Sequence, residues 1–498
     1  VHMRNPMIVL NSLAEVALKE NCQFKRLYRN LYNEEFYYIA YKNLSSKENM
    51  ISDTDSIDRM KERVDKLINE IKDESYKPYP AQGVYIPKKN GKKILLGIPS
   101  IDDKIVQEII RSILESIYEN NFSVNSHGYR PKRSCHTAID QISKQKGTQW
   151  YIKGDIKCFF DNINHHRLID ILRKKIKDEK FINLIWKFLR AGYLEEWKYN
   201  NTYSGIPQGG IISPILSNIY LNEFDKYVDG VRLSFEEGKE RTKINYSMDT
   251  EFKRLYYVRY ADTFIIGVIG NKEDTKKIKE NIKNFLKEKL ELELSEEKTL
   301  ITSSKDRAKF LGYEITVRSQ EIKRVKQNDT VKKRTYGQTK VYMPKEAWIT
   351  KLKEHGAVNV INKKGKEIWE PTHRTYLINN DDLEIIKTYN AEIRSLYNYY
   401  RLAMNVNSLN SYNYIMKYSF VKTMGHKYKT SIRKIFDKYT IDGKLGIKYM
   451  TKNGPEICYY YDEGFARNKT GSNWKDIEMH PSTKLKIEVC EWHEKENT

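Results

Sequence analysis

The chain is poor in cysteine: Cys22, Cys135, Cys158, Cys458 and Cys490 are the five in 498 residues, and none stands at a paired spacing. Such usage offers no disulfide framework and fits thiols buried as apolar groups in a reducing compartment. Long hydrophobic runs are missing as well. No apolar stretch approaches the roughly 20 residues that span a bilayer, and no secretory apolar segment opens the chain. A soluble, cytoplasmic protein with no membrane partner is therefore expected; Val1 and His2, ahead of Met3, read as a cloning remnant. Acidic residues are outnumbered, 66 Asp and Glu against 88 Lys and Arg, which leaves a formal charge of +22. That excess favours a polyanionic partner, although basic bias by itself also fits ribosomal and membrane-surface proteins. None of the ten histidines joins a metal or nucleophile constellation, and His165-His166 after Asn164 reads as the start of a helix.

What is present is a pair of acids in strand-like settings. Tyr257-Val258-Arg259-Tyr260-Ala261-Asp262-Thr263-Phe264-Ile265-Ile266-Gly267 reads as an apolar strand, a turn bearing one carboxylate, and a second apolar strand. Ile152-Lys153-Gly154-Asp155 ends a short strand-like run on another acid. Two carboxylates far apart in sequence can meet on one sheet and bind Mg²⁺, which takes carboxylates, waters and substrate phosphates; the alternative is that each is an exposed turn acid. Around them, helical stripes recur. Leu10, Leu13, Val16 and Ala17 form one; Ile105, Ile109, Ile113 and Ile117 form another beside Val106, Ile110 and Leu114; Ile278, Ile282, Phe285, Leu286 and Leu290 form a third. Each reads as core. Between Asp225 and Glu251 no period is evident, and a loop insertion is expected. Strands alternating with helices indicate an α+β domain.

Further motifs are more specific. Ile86-Pro87-Lys88-Lys89-Asn90-Gly91 leads into Leu96-Gly97-Ile98-Pro99, then His127-Gly128-Tyr129-Arg130-Pro131 with Arg133-Ser134-Cys135-His136. Pro207-Gln208-Gly209-Gly210-Ile211-Ile212-Ser213-Pro214 lies between the two acids, and Leu294-Ser295-Glu296-Glu297-Lys298-Thr299 and Phe310-Leu311-Gly312-Tyr313 follow them. From about residue 5 to 438, this order resembles the group II intron reverse transcriptases and maturases. The resemblance implies an α+β right-hand polymerase fold. Its parts would be an RNA-contacting helical N-terminal extension (3–75), fingers and palm (76–320), a basic connector (321–375), a helical thumb or maturase domain X (376–455) and a C-terminal tail (456–498).

Roles follow from the same resemblance. Asp155 and Asp262 would be catalytic Mg²⁺ ligands, with the Ile156 carbonyl as a third contact. Phe160 would exclude a 2′-hydroxyl, Gln208 would line the nucleotide site, and the turn at Gly209 and Gly210 would let backbone approach the template. Lys298 would lie near the leaving pyrophosphate. Lys88 and Arg130 would contact template or triphosphate, solvated surface positions being the alternative. In the thumb, Lys427 and Lys429 would neutralise RNA phosphates, and Lys332-Lys333-Arg334 in the connector would form either a backbone-binding arm or a solvated run. The implied partners are group II intron RNA, target DNA and dNTPs.

The departures carry equal weight. Where the family has a second Asp at the hairpin tip, this chain has Thr263, a neutral hydroxyl in place of a charged ligand. Where the family commonly has an arginine for the incoming triphosphate, Ile94 or Leu95 stands, and nearby Lys92 or Lys93 replaces a guanidinium only in part. At the C-terminal end, Cys490 and His493 have the spacing of a first metal-ligand pair without a second, which reads as a degenerate endonuclease module or an unrelated polar tail. Three functions compete: a maturase with polymerisation weakened or lost, a fully active reverse transcriptase supporting intron mobility, and a repurposed RNA-binding protein.

Overall fold

A computed structural model of the chain describes residues 4–45, 57–87, 93–195, 198–200, 202–239, 252–317, 326–327, 330–331, 337–363 and 366–468. These form two compact units that divide after Asp306. In the first, helices Pro6–Ala17, Glu34–Ser45 and Ile57–Lys72 precede a short sheet and helix Ile101–Tyr118. The sequence supplies the helix starts. The Asn5 side chain accepts from the Met7 N–H, and Ser100 accepts from the Asp103 N–H; each satisfies a first-turn donor that has no partner within the helix. Ile105, Ile109, Ile113 and Ile117 are all buried, as their four-residue spacing requires.

The short sheet is ordered Lys93–Ile98, Ala81–Pro87, Tyr193–Glu195, Lys198–Asn200. The central sheet runs Arg254–Tyr260, Thr263–Ile269, Trp150–Asp155, Leu300–Ser303, with every neighbour antiparallel. Thr263–Ile269 is buried at every position, which is why it reads as an unbroken apolar run. Helices Ser213–Glu236 and Lys272–Leu290 belong to the same core: Phe224 meets Phe264 edge-on with ring centroids 5.1 Å apart, and Tyr227 stacks on Phe285 at 3.9 Å.

The loop expected from Asp225 to Glu251 is instead, as far as Glu236, the second half of a helix. Leu221, Phe224 and Val228 continue its buried stripe, and Asp225 itself is buried against Arg259 and Tyr257. Charged residues on the outer face hid that period. Residues 240–251 lie outside the described residues.

In the second unit, Thr339–Tyr342, Tyr313–Val317 and Ala308–Phe310 form a sheet in that order. Helix Lys345–Glu354 and the hairpin of Val358–Lys363 with Lys366–Pro371 follow; then come helices Asp382–Tyr400, Leu409–Lys427 and Ile432–Tyr439 and the hairpin of Lys444–Thr451 with Gly454–Tyr459. From residue 337 onward the expected connector is therefore folded, and the last hairpin crosses the division expected after 455. Asp382 ties the helices together. Lys427 Nζ at 2.7 Å, Tyr428 Oη at 2.7 Å and Tyr439 Oη at 2.6 Å donate to its carboxylate. Burial pushes the Asp382 pKa up, but the hydrogen bonds from Lys427, Tyr439 and Tyr428 outweigh it and leave the carboxyl below its ordinary value. Among the described residues no helix is long and apolar enough to cross a membrane.

Gly154 pairs with Phe264 across the central sheet, and a Cβ there would lie 2.1 Å from Phe264 Cζ. Because that ring is buried and cannot swing aside into solvent, Gly154→Ala is expected to destabilise the first unit by about 1–3 kcal/mol, the usual cost of overpacking. Urea unfolding followed by tryptophan fluorescence measures it.

Candidate active site

The strand Trp150–Asp155 ends on its acid, and the antiparallel register sets that acid opposite Thr263, one residue beyond Asp262. The backbone draws a third segment in. Ile156 N–H donates to the Asp262 carbonyl at 3.4 Å, Ser295 N–H to the Asp155 carbonyl at 2.9 Å, and Lys157 N–H to the Glu293 carbonyl at 2.8 Å. Side chains then converge on one carboxylate. Thr263 Oγ1 donates to Asp155 Oδ1 at 3.1 Å, and Lys298 Nζ stands 3.3 Å from Asp155 Oδ2. Asp155 is 7% exposed and Thr263 3% exposed, whereas Asp262 on the turn is half-buried.

Asp155 and Asp262 thus lie at the same end of one sheet, and carboxylate oxygens are donors that suit a hard cation such as Mg²⁺ and not a thiolate- or imidazole-seeking metal. Among the described residues no group of three or more His, Cys, Asp or Glu side chains gathers for a metal ion. Thr263, a neutral residue, donates its hydroxyl hydrogen bond to Asp155.

The nucleotide-side residues lie on neighbouring elements. Phe160, in the turn of helix Phe159–Asn162, is buried with its ring edge-on to Tyr129 at 6.3 Å. The Gln208 carbonyl accepts from Gly97 N–H at 2.7 Å, and its Nε2 lies 3.4 Å from Asp161 Oδ1. Gly209 has φ 108°, and a Cβ there would come 2.9 Å from the Gly97 carbonyl oxygen; only glycine lets this turn press so closely on strand Lys93–Ile98. That strand carries Ile94 and Leu95, whose side chains are outside the described set.

Two expected ligand contacts have other partners. Arg130 is 8% exposed, and each of its nitrogens already donates: to the Glu119 carboxylate and carbonyl and to the carbonyls of Ser123 and Ser126. It clamps the segment between helix Ile101–Tyr118 and the central sheet, and has no donor left for a triphosphate. Lys427 gives its ammonium to Asp382 and the Asn380 carbonyl; burial works against its charge, but Asp382 outweighs that and raises its pKa. Lys429, by contrast, is exposed just past the helix end. Lys88, Lys332, Lys333, Arg334, Cys490 and His493 lie outside the described residues.

Other residues escaped the sequence reading. Arg259, in the strand leading to Asp262, is wholly buried in an ion pair with Asp225. A charged residue in an apolar strand was the available signal, since a buried charge demands a partner. His127 is 3% exposed; its Nε2–H donates to Gln141 Oε1 at 2.6 Å and its Nδ1 lies 2.8 Å from Thr137 Oγ1. Burial first, then the charges of Arg133, Arg130 and Arg259, push its pKa down to about 4 against the pull of the Gln141 hydrogen bond.

Residues 86–315 match the family model "Reverse transcriptase (RNA-dependent DNA polymerase)", which places the acidic sheet end and the glycine turn within a template-directed polymerase class. Residues 336–480 match "Type II intron maturase". The group II intron-encoded protein LtrA of Lactococcus lactis subsp. cremoris is 42% identical over 92% of this chain and 84% of its own length. The chain belongs to the group II intron-encoded reverse transcriptase and maturase family. A putative COX1/OXI3 intron 2 protein of Saccharomyces cerevisiae is 34% identical over 89% of this chain and 56% of its own. Protein YkfC of Escherichia coli K12 is 38% identical over 50% of this chain and 70% of its own.

The buried neutral His127 links this region to pH. Its folded pKa is about 4, below the unfolded value of 6.5, so the unfolded chain binds the extra proton and stability falls as pH drops from 6.5 toward 4, by about 3 kcal/mol from this group. His127→Gln, which cannot titrate, should flatten that part of the stability profile in urea melts between pH 7 and pH 4.5.

Proposed function

We propose that this protein is an intron-encoded maturase that grips group II intron RNA to promote splicing, with RNA-templated DNA synthesis weakened or lost through Thr263. On this reading the first unit holds the N-terminal extension, fingers and palm, and the second holds the thumb or domain X. The maturase reading is supported by the match of residues 336–480 to the type II intron maturase model, and the weakening by the Thr263 hydroxyl donating to Asp155 at 3.1 Å. Mg²⁺ held by Asp155 and Asp262, with the Ile156 carbonyl, would lower the pKa of a primer hydroxyl and neutralise charge on the attacking and leaving oxygens.

The chain's own groups do the rest. Phe160 closes the space beside the sugar, Gln208 orients the nucleotide, and Lys298, released from Asp155, offsets charge on the departing pyrophosphate. Thr263 supplies no negative charge to this arrangement. Losing one such electrostatic contact costs on the order of 2–4 kcal/mol of transition-state stabilisation, or roughly thirty-fold to a thousand-fold in rate. Splicing chemistry would belong to the RNA, and the protein would contribute phosphate neutralisation and rigid docking surfaces from the chain's excess of base, exposed Lys429 among them.

Primer extension on an RNA template with Mg²⁺ and dNTPs tests this reading. The Thr263→Asp variant should extend roughly thirty-fold to a thousand-fold faster than the original; equal, brisk rates would instead mark a fully active polymerase serving intron mobility, with target DNA among its partners. Filter binding to a cognate intron should weaken steeply between 50 and 200 mM salt, as about six or more phosphate contacts would require. Absence of footprint and of splicing stimulation on that intron would favour a repurposed RNA-binding protein.

A further inference from the structure

We propose that Arg259 is a positioning residue of the active site: locked to Asp225, it sets the turn that presents Asp262 and couples that turn to the helix leading out of residues 207–214. The inference rests on the reading of Asp262 as a site residue, but its geometry is independent of any metal. Arg259 is 0% exposed, and its five N–H donors are all used. Nε and Nη2 form a bidentate pair with Asp225 at 2.7 and 2.6 Å. Nη2 also donates to Ser126 Oγ at 2.8 Å, while Nη1 donates to Asn218 Oδ1 at 3.2 Å and to the Ala261 carbonyl at 2.8 Å.

That last bond reaches the first residue of the turn, Ala261, which has a left-handed φ of 53°. A non-glycine residue holds this conformation only when its surroundings fix it. Gly128 closes the other side. A Cβ at Gly128 would lie 2.4 Å from Ala261 N, and the Gly128 carbonyl accepts from Asn218 Nδ2 at 2.9 Å. Asn218 thus joins Gly128 to Arg259 behind the turn. Both Asn218 and Asp225 stand on helix Ser213–Glu236, which begins at the end of the segment 207–214. Any shift of that helix is transmitted to the turn through a rigid guanidinium.

Energetics support placement over bulk stability. A fully buried ion pair seldom outperforms well-packed apolar side chains, because desolvation cancels much of the attraction. Its advantage is directional: a planar fork with fixed donors, which lysine cannot copy. Tyr257 adds a further hydrogen bond to Asp225 at 2.7 Å, so the carboxylate is held from two residues of the same strand.

Hydrogen–deuterium exchange on the full-length protein tests the proposal with no metal or substrate present. Arg259→Lys keeps the charge and loses the link to Ala261; Asn218→Ala removes the tie to Gly128; Ser126→Ala removes a bond from Nη2 of the same guanidinium and leaves the Nη1 link to Ala261. Amides from Tyr260 to Phe264 should exchange at least tenfold faster in Arg259→Lys and Asn218→Ala, and within twofold of the original in Ser126→Ala, at matched distance below each variant's melting temperature. If Arg259→Lys does not fold, Asn218→Ala against Ser126→Ala decides. Equal acceleration in those two, or none at the turn, would overturn the proposal. Primer extension in a Thr263→Asp background separates it from the polymerase reading: a slack turn lowers kcat with dNTP KM unchanged, whereas a Thr263→Asp protein with no activity refutes that reading and leaves the exchange result standing.

Discussion

The register between Trp150–Asp155 and Thr263–Ile269 is the constraint on which the site depends. Side chains alternate faces along a strand, so a slip of one residue would turn Asp155 away from the hairpin tip. Gly154 resists such a slip, because the Phe264 ring occupies the space where any side chain at that position would go. One strand pairing therefore decides both the packing of the first unit's core and which group faces Asp155.

That facing group explains the character of the site. An aspartate at 263 would set a second carboxylate against Asp155 in a buried setting, an arrangement costly without a cation between them. Threonine removes the conflict by donating a hydrogen bond, and Lys298 supplies a positive charge on the other oxygen. The carboxylate is then satisfied by protein alone. On the proposed reading, that metal-free order comes at the expense of cation binding, which a protein that serves by holding RNA would not need.

Much of this was legible in the sequence where period or motif spoke directly. The stripe at Ile105, Ile109, Ile113 and Ile117, the strand–turn–strand around Asp262, and the helix start at Asn164 all follow from local pattern. Motif membership did not reveal partners. Arg130 sits in a motif suggestive of nucleotide contact, yet its donors close on Glu119 and on backbone carbonyls, a matter of tertiary geometry. Lys427 likewise reads as a surface cation until Asp382, 45 positions away, is seen beside it. Helix Leu409–Lys427 shows no clean hydropathy stripe because its buried face mixes Ile415, Phe420 and Met424 with Tyr412, Ser419, Thr423 and Gly425. For the Arg259–Asp225 pair, a charge inside an apolar strand signals that a partner is needed but not that Asp225, 34 positions away, supplies it.

The shortage of charged ligands at the sheet end is the central claim, and titration with Mn²⁺ followed by electron paramagnetic resonance measures it most directly. The original protein should bind Mn²⁺ at this site at least tenfold more weakly than its Thr263→Asp variant, with Asp155→Asn abolishing the difference. Equal affinities for the original and the variant would contradict it, showing that Asp155 and Asp262 alone provide a complete cation site.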